Sequence, residues 1–255
     1  MLNNENYFSQ ENELKYFGSS QFKSFMDCEA RTMAEIKGEW ERPKSDALLI
    51  GSYVDAYWES EEAFERFKAE HAGEMFKKNG ELLKKFENAN NIIERTESDP
   101  MFAKYMSGET QLIKTGKIFG HDFKIKIDSY HPGKAIVDLK CMRDFEKVYK
   151  EGLGRVNFID GWGYDIQGAI YQAVEGNKLP VIIAGCTKQN PPDLGLFRIP
   201  QYKLDAALKI VEAYIDHFAD VKSGLIEPAR CGKCEYCRAT KRLTKIEILE
   251  DIINE

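Results

Sequence analysis

The chain has 255 residues, 43% hydrophobic and 31% charged, with a formal net charge of -6. That length allows one sizeable core carrying insertions, and the composition suits a globular protein and excludes disorder over the whole chain. The net acidity argues against a protein that coats nucleic acid by bulk charge, while the absence of a long apolar run or an apolar leader in the polar residues 1–10 makes a cytoplasmic protein the expectation.

Phe22, Phe25, Met26, Met33 and Ile36 recur at helical spacing after Ser19 and Ser20, which predicts an N-capped helix ending near Gly38. A second helix is expected over 46–59, carrying Leu49, Val54, Tyr57 and Trp58. Residues 61–105 are charged and helical in character, with turns near Gly80 and Pro100. The period then changes to two. Phe123, Ile125 and Ile127 alternate with Lys124, Lys126 and Asp128, which predicts a strand. His131-Pro132-Gly133 is a turn, residues 135–140 form a second strand, and residues 109–118 a preceding one, giving an antiparallel meander. Residues 160–175 return to helical spacing. Residues 179–186 and 195–199 read as strands around the Asn190-Pro191-Pro192 loop, residues 203–222 as a long amphipathic helix, and a charged terminal helix begins near Thr240. This order predicts an α/β (α+β) fold in one domain: a helical part at 1–107, a sheet core at 108–200 and C-terminal helices with a cysteine cluster at 201–255.

The segment richest in chemistry is Lys126-Ile-Asp128, followed ten residues later by Asp138-Leu-Lys140. Asp138 and Lys140 share one strand face. Asp128 and Asp138 on adjacent strands could share Mg²⁺ or Mn²⁺ through oxygen ligands, and Lys140 could orient water or stabilise charge on a phosphate. The plain alternative is a solvated hairpin face. Two carboxylates on one face repel, so Asp138→Ala is expected to leave stability nearly unchanged or to raise it. A metal-dependent nuclease needs only a local basic track, and Lys124, Lys126, Lys134, Lys140, Arg143, Lys147 and Lys150 supply one.

The arrangement resembles the PD-(D/E)xK nuclease superfamily, closest to its RecB-like branch and to phage exonucleases of the RecE and lambda-exonuclease kind. The resemblance implies a restriction-endonuclease-like core, a small mixed sheet flanked by helices. It implies in-line attack of water on DNA phosphate without a covalent intermediate, with Asp128 and Asp138 as ligands of the activating cation. Such proteins carry Gln and Tyr on the helix after the lysine motif; here Tyr164, Gln167 and Tyr171 share a face. The resemblance makes Gln167 a contact of Asp138, Lys140 or the scissile phosphate, and Tyr171 a packing or DNA-contacting residue; Lys188 is expected as a further DNA contact. Gly51-Ser-Tyr-Val-Asp55 resembles a G-x-x-x-H helix whose histidine ligates metal; Asp55 stands in the histidine's place and suits Mg²⁺. Glu109 matches an acidic ligand position of several members.

Six cysteines without a secretion signal read as thiols or metal ligands rather than disulfides. Cys231, Cys234 and Cys237 are spaced for one metal centre. RecB-like nucleases with an iron-sulfur clasp place one cysteine before the core and three after it, and Cys28 occupies the early position. A [4Fe-4S] cluster is the first expectation, a zinc ion the second and free thiols the third. Cys141 and Cys186 read as small buried residues. The function implied is an exonuclease resecting duplex DNA ends, in a bacterium or a phage-infected cell. Its expected partners are DNA, a single-strand annealing protein and further copies of the chain in a homo-oligomer, with no membrane. The alternatives are a RecB-like nuclease of the CRISPR-adaptation or helicase-associated kind, and an inactive DNA-binding module.

Overall fold

A computed structural model describes residues 2–43 and 45–244. Three N-terminal helices, α1 (Gln10–Lys15), α2 (Ser19–Asp27) and α3 (Glu29–Ile36), precede α4 (Asp46–Glu59), α5 (Glu61–Glu70) and α6 (Ala72–Met75). A short 3-10 turn, Lys84–Phe86, leads into α7 (Asn88–Ser98) and α8 (Pro100–Met106). The strands follow: β1 (Glu109–Ile118), β2 (His121–His131), β3 (Ala135–Met142), and the small pair β4 (Val148–Lys150) and β5 (Gly154–Val156). Next come α9 (Phe158–Gly161), α10 (Tyr164–Glu175), β6 (Val181–Thr187), β7 (Leu194–Arg198), α11 (Gln201–Ser223) and α12 (Glu235–Ala239).

Local chemistry explains several boundaries. Ser45 accepts from the Leu48 N–H at 3.2 Å and Ser60 from that of Ala63 at 3.1 Å, so each hydroxyl satisfies an orphan donor at a helix start. Asp99 caps α8, whose first residue, Pro100, has no N–H to leave unpaired. The expected first helix is two helices. Cys28 is extended, with φ -167° and ψ 106°, and separates α2 from α3, while Gly18 rather than Ser19 holds the cap position. The expected helix over 160–175 is likewise broken, because Gly163 takes φ 65°, where only glycine is unstrained. The β4–β5 hairpin and α1 were outside the sequence expectation. The terminal helix expected from Thr240 lies for most of its length outside the described residues.

The main sheet has the order β1-β2-β3-β6-β7, antiparallel except for the parallel β3–β6 pair. A parallel pair needs a crossover, which α10 supplies. Both faces are covered. Phe22, Phe25, Ile125, Ile127, Ile170, Val211 and Phe218 fill one side against α2, α10 and α11, and Val54, Phe86, Ile92, Phe102, Val137 and Ala184 fill the other against α4, α7 and α8. Among the described residues no helix is long and apolar enough to cross a membrane.

One break in this sheet positions the site. The β2–β3 ladder runs from His131↔Ala135 to Ser129↔Val137 and stops, whereas β3 continues alongside β6 to Met142↔Thr187. The next rung would set Asp128 opposite Asp138. The strands part there.

Candidate active site

Asp138 is 2% exposed, and its two oxygens have different partners. Oδ1 accepts from Gln167 Nε2 at 2.7 Å, and Oδ2 is ion-paired with the Lys140 ammonium. Gln167 Nε2 also lies 3.1 Å from the Tyr171 hydroxyl, which donates to the Lys126 carbonyl at 2.8 Å. A chain of bonds thus ties α10 to β3 and β2. It fixes the Asp138 rotamer. Burial opposes the Lys140 charge, but Asp138 and Asp128 outweigh it and hold the lysine above its ordinary range.

Asp128 fills the gap between the strands. Its Oδ2 accepts the Leu139 N–H at 2.8 Å, replacing the missing β2 carbonyl. Burial, then the charges of Asp138 and Asp55, push the Asp128 carboxyl well above the usual range. Asp55, on α4, is raised too, by burial and then by Asp138 against the opposing pull of Lys140. A cavity of about 260 Å³ beneath α4 is lined by Asp55, Asp128, Lys140 and Lys188. Lys188 is held at its rim by its backbone N–H to the Met142 carbonyl, 2.8 Å. Three carboxylates in one place, one of them with an oxygen satisfied only by a lysine, form a hard-donor set that fits Mg²⁺ or Mn²⁺.

The second cluster is made of sulfur. The Sγ atoms of Cys28, Cys231, Cys234 and Cys237 all lie within 4.8 Å of one another. Cys28 and Cys237 are 3.6 Å apart, Cys231 and Cys237 3.9 Å. The Cys234 N–H points to the Cys231 sulfur at 3.3 Å and the Cys237 N–H to the Cys234 sulfur at 3.4 Å, a knuckle that stabilises thiolates. Burial resists ionisation of Cys231, but the Cys234 and Lys233 amides and neighbouring thiols bring it down to about 6; burial lifts Cys237 to about 12. These four residues could hold a metal centre joining the two ends of the fold.

A family model described as a PDDEXK-like domain of unknown function (DUF3799) matches residues 18–240. The chain belongs to that family. The crystal structure of a protein named "putative exonuclease" from Eubacterium rectale is 42% identical, with 99% of this chain and 98% of the other covered and a TM-score of 0.93. That likeness extends to the whole architecture, a restriction-endonuclease-like sheet between helical layers. The structure of SSO0001 is 14% identical over 85% of this chain and 92% of its own, with a TM-score of 0.33, and carries no argument. No curated protein matches this chain.

Within this family fold the structure brings Asp55, Asp128, Asp138, Lys140, Gln167 and Lys188 together. Two other expected residues stand apart. Glu109 is exposed at the start of β1, paired with Tyr130, two positions toward the turn from Asp128. Tyr171 is 7% exposed, and its hydroxyl is engaged by Gln167 and Lys126, the position of an internal strut. The basic track also loses a member: Lys124 is 1% exposed and bound to the Tyr7 carbonyl and Glu13. Sequence reasoning missed Lys23 on α2, whose ammonium is 3.5 Å from Gln167 Oε1. Nothing local marked it, because its partner lies 144 positions away.

Proposed function

We propose that this protein is a metal-dependent DNA nuclease, an exonuclease that resects duplex ends for recombination. The observation that carries the reading is the buried Asp138–Lys140 pair, fixed by Gln167 beside Asp128 and Asp55. A solvated hairpin face would not bury such a pair. Asp128, Asp138 and Asp55 would hold Mg²⁺ or Mn²⁺, which supplies a polarised phosphate and a water of lowered pKa. Lys140 places a fixed positive charge where the phosphate oxygens gain negative charge during in-line displacement. Gln167 keeps Asp138 and Lys140 in register, and Lys188 at the rim offers a contact to a neighbouring phosphate. The sequence carries no recognisable base-reading motif, so cleavage is expected to be independent of sequence.

For the thiol cluster the separations favour one zinc ion over a [4Fe-4S] cluster. A tetrahedral ion with metal–sulfur bonds of about 2.3 Å sets its sulfurs roughly 3.8 Å apart, close to the 3.6 and 3.9 Å found here. A cubane gives each thiolate its own iron and spreads the sulfurs further. The arrangement of one cysteine before the core and three after it also favours RecB-like kin among the possible relatives.

The test is digestion of end-labelled duplex, nicked circle and single strand with Mg²⁺, with Mn²⁺ or with no divalent ion added. Ion-dependent loss of the duplex end label is expected for the parent and not for Asp138→Ala. DNA binding without cleavage under every condition would make the chain a binding module.

A further inference from the structure

Two ammonium groups converge on one ring. Lys23 Nζ and Lys140 Nζ each lie 5.6 Å from the Tyr164 ring centroid. Their surroundings differ. Lys140 is paired with Asp138, whereas Lys23 has no ion pair among the described residues. Its ammonium reaches only two neutral oxygens, the Trp162 carbonyl at 3.4 Å and Gln167 Oε1 at 3.5 Å, both long for a charged donor.

The position of Lys23 is built. A Cβ added to Gly163 would meet Lys23 Cδ at 2.9 Å, so the aliphatic stem is packed against the backbone that opens α10. This presses one cation beside another. Burial and then the Lys140 charge lower Lys23 to about 8, and Asp138, Asp165 and Asp27 oppose this only in part. A half-buried lysine next to a like charge is unfavourable unless a third group offsets it. Asp138 is already shared by Lys140 and Gln167. The group that would offset Lys23 is an anion from outside the chain.

We infer that Lys23 and Lys140 form a two-lysine phosphate site over the Tyr164 ring, in which Lys23 contacts a non-bridging oxygen of the DNA phosphate at the reacting centre. That the phosphate belongs to DNA rests on the nuclease reading. That the site takes a phosphate does not. The alternative role for Lys23 is a tether joining α2 to α10 through Trp162 and Gln167, and the two roles predict opposite signs.

The experiment is thermal melting of the full chain in buffer free of Mg²⁺ and Mn²⁺, with inorganic phosphate titrated in, for the parent, Lys23→Met and Lys23→Gln. With a phosphate site, phosphate raises the parent's Tm, both variants bind it about tenfold or more weakly, and the phosphate-free variants melt at or above the parent. With a tether, the phosphate-free variants melt lower and their phosphate response equals the parent's, which overturns the proposal. A parent that ignores phosphate overturns it as well. DNA cleavage is then measured separately. The variants are expected to lose kcat with a smaller change in KM; a parent that cuts no DNA would remove the nuclease reading while the melting series still decides whether the anion site exists.

Discussion

The oxygen-lined site and the sulfur-lined site place opposite demands on the fold. Asp55, Asp128 and Asp138 crowd negative charge inside the molecule, and burial and mutual repulsion raise Asp55 and Asp128 above their ordinary values. Without a cation that site is a cost carried by the core. The four cysteines lie at the edge, where Cys28 and Cys237 form a small apolar cluster with Ala30 that is separate from both sheet cores. A metal bound there would add its binding free energy to folding. Stability is thus given up where chemistry is expected and would be recovered, with metal bound, where Cys28 meets Cys231, Cys234 and Cys237. Removing metal from the first site should stop a reaction, and removing it from the second should loosen an end.

The largest effect should come from Asp138→Ala. Cleavage is expected to fall on the order of a thousandfold or more, since the change removes a ligand and releases Lys140 and Gln167 together. Its effect on stability reverses the expectation from sequence. Relief of repulsion is outweighed by stripping the partner from Lys140, whose side chain is 23% exposed, so denaturant unfolding should show a loss of about 2 kcal/mol. Near-normal cleavage by this variant would end the assignment.

Next in size is Cys28→Ser. The parent should carry about one zinc per chain and little iron; about four irons would restore the cluster expected from sequence. Loss of Cys28 should cost several kcal/mol and make the ends protease-sensitive while the carboxylate site stays assembled. The Ala30 N–H to Ala229 carbonyl bond, 3.0 Å, and the Ala229 N–H to Glu29 bond, 2.8 Å, would be left to hold the C-terminal segment. If neither metal is found and the variant melts like the parent, the clasp does not exist.

Much of this was legible because its signals are local. Period two across residues 123–127 is written in adjacent positions, and β1 and α4 fall where the sequence puts them. Asp138 and Lys140 share a face for the same reason. What was not legible depends on distant partners. The extended Cys28 stands beside three thiols some two hundred positions away, the opening at Asp128 lies where the β2–β3 ladder stops, and the buried Tyr171 hydroxyl bonds an oxygen on Lys126. Glu109 matched a pattern, yet the register sets it against Tyr130 and away from the gap.

A third prediction isolates the electrostatic cost of the oxygen site. Asp128 binds its proton more tightly folded than unfolded, so the folded state holds more protons above the ordinary carboxylate pKa, and stability falls as pH rises from there through the raised value. In buffer without Mg²⁺ or Mn²⁺, Asp128→Asn should flatten that decline and melt a few degrees above the parent at pH 7, because each tenfold gain in proton affinity on folding is worth about 1.4 kcal/mol. Asn keeps an oxygen for the Leu139 N–H. Added Mg²⁺ should stabilise the parent and not the variant. Parallel pH profiles would mean that Asp128 carries no such cost.

The smallest effect, Tyr171→Phe, decides whether the helix after the lysine motif touches DNA or only supports the site. The change deletes one hydroxyl from a ring that is 7% exposed and leaves its packing in place. Because that hydroxyl bridges the Lys126 carbonyl and Gln167, its loss removes a bond to a β2 carbonyl and frees one side of the Gln167 amide. The stability lost should be about 1 kcal/mol. Gln167 still binds Asp138 at 2.7 Å but can turn more freely, so kcat should fall several-fold while the Kd for DNA, measured without divalent ions, stays at the parent's value. A tyrosine on the DNA surface would give the reverse pattern, weaker binding with unchanged stability, because an exposed hydroxyl leaves no buried partner behind. The two measurements together therefore separate a strut from a contact even though each shift is small.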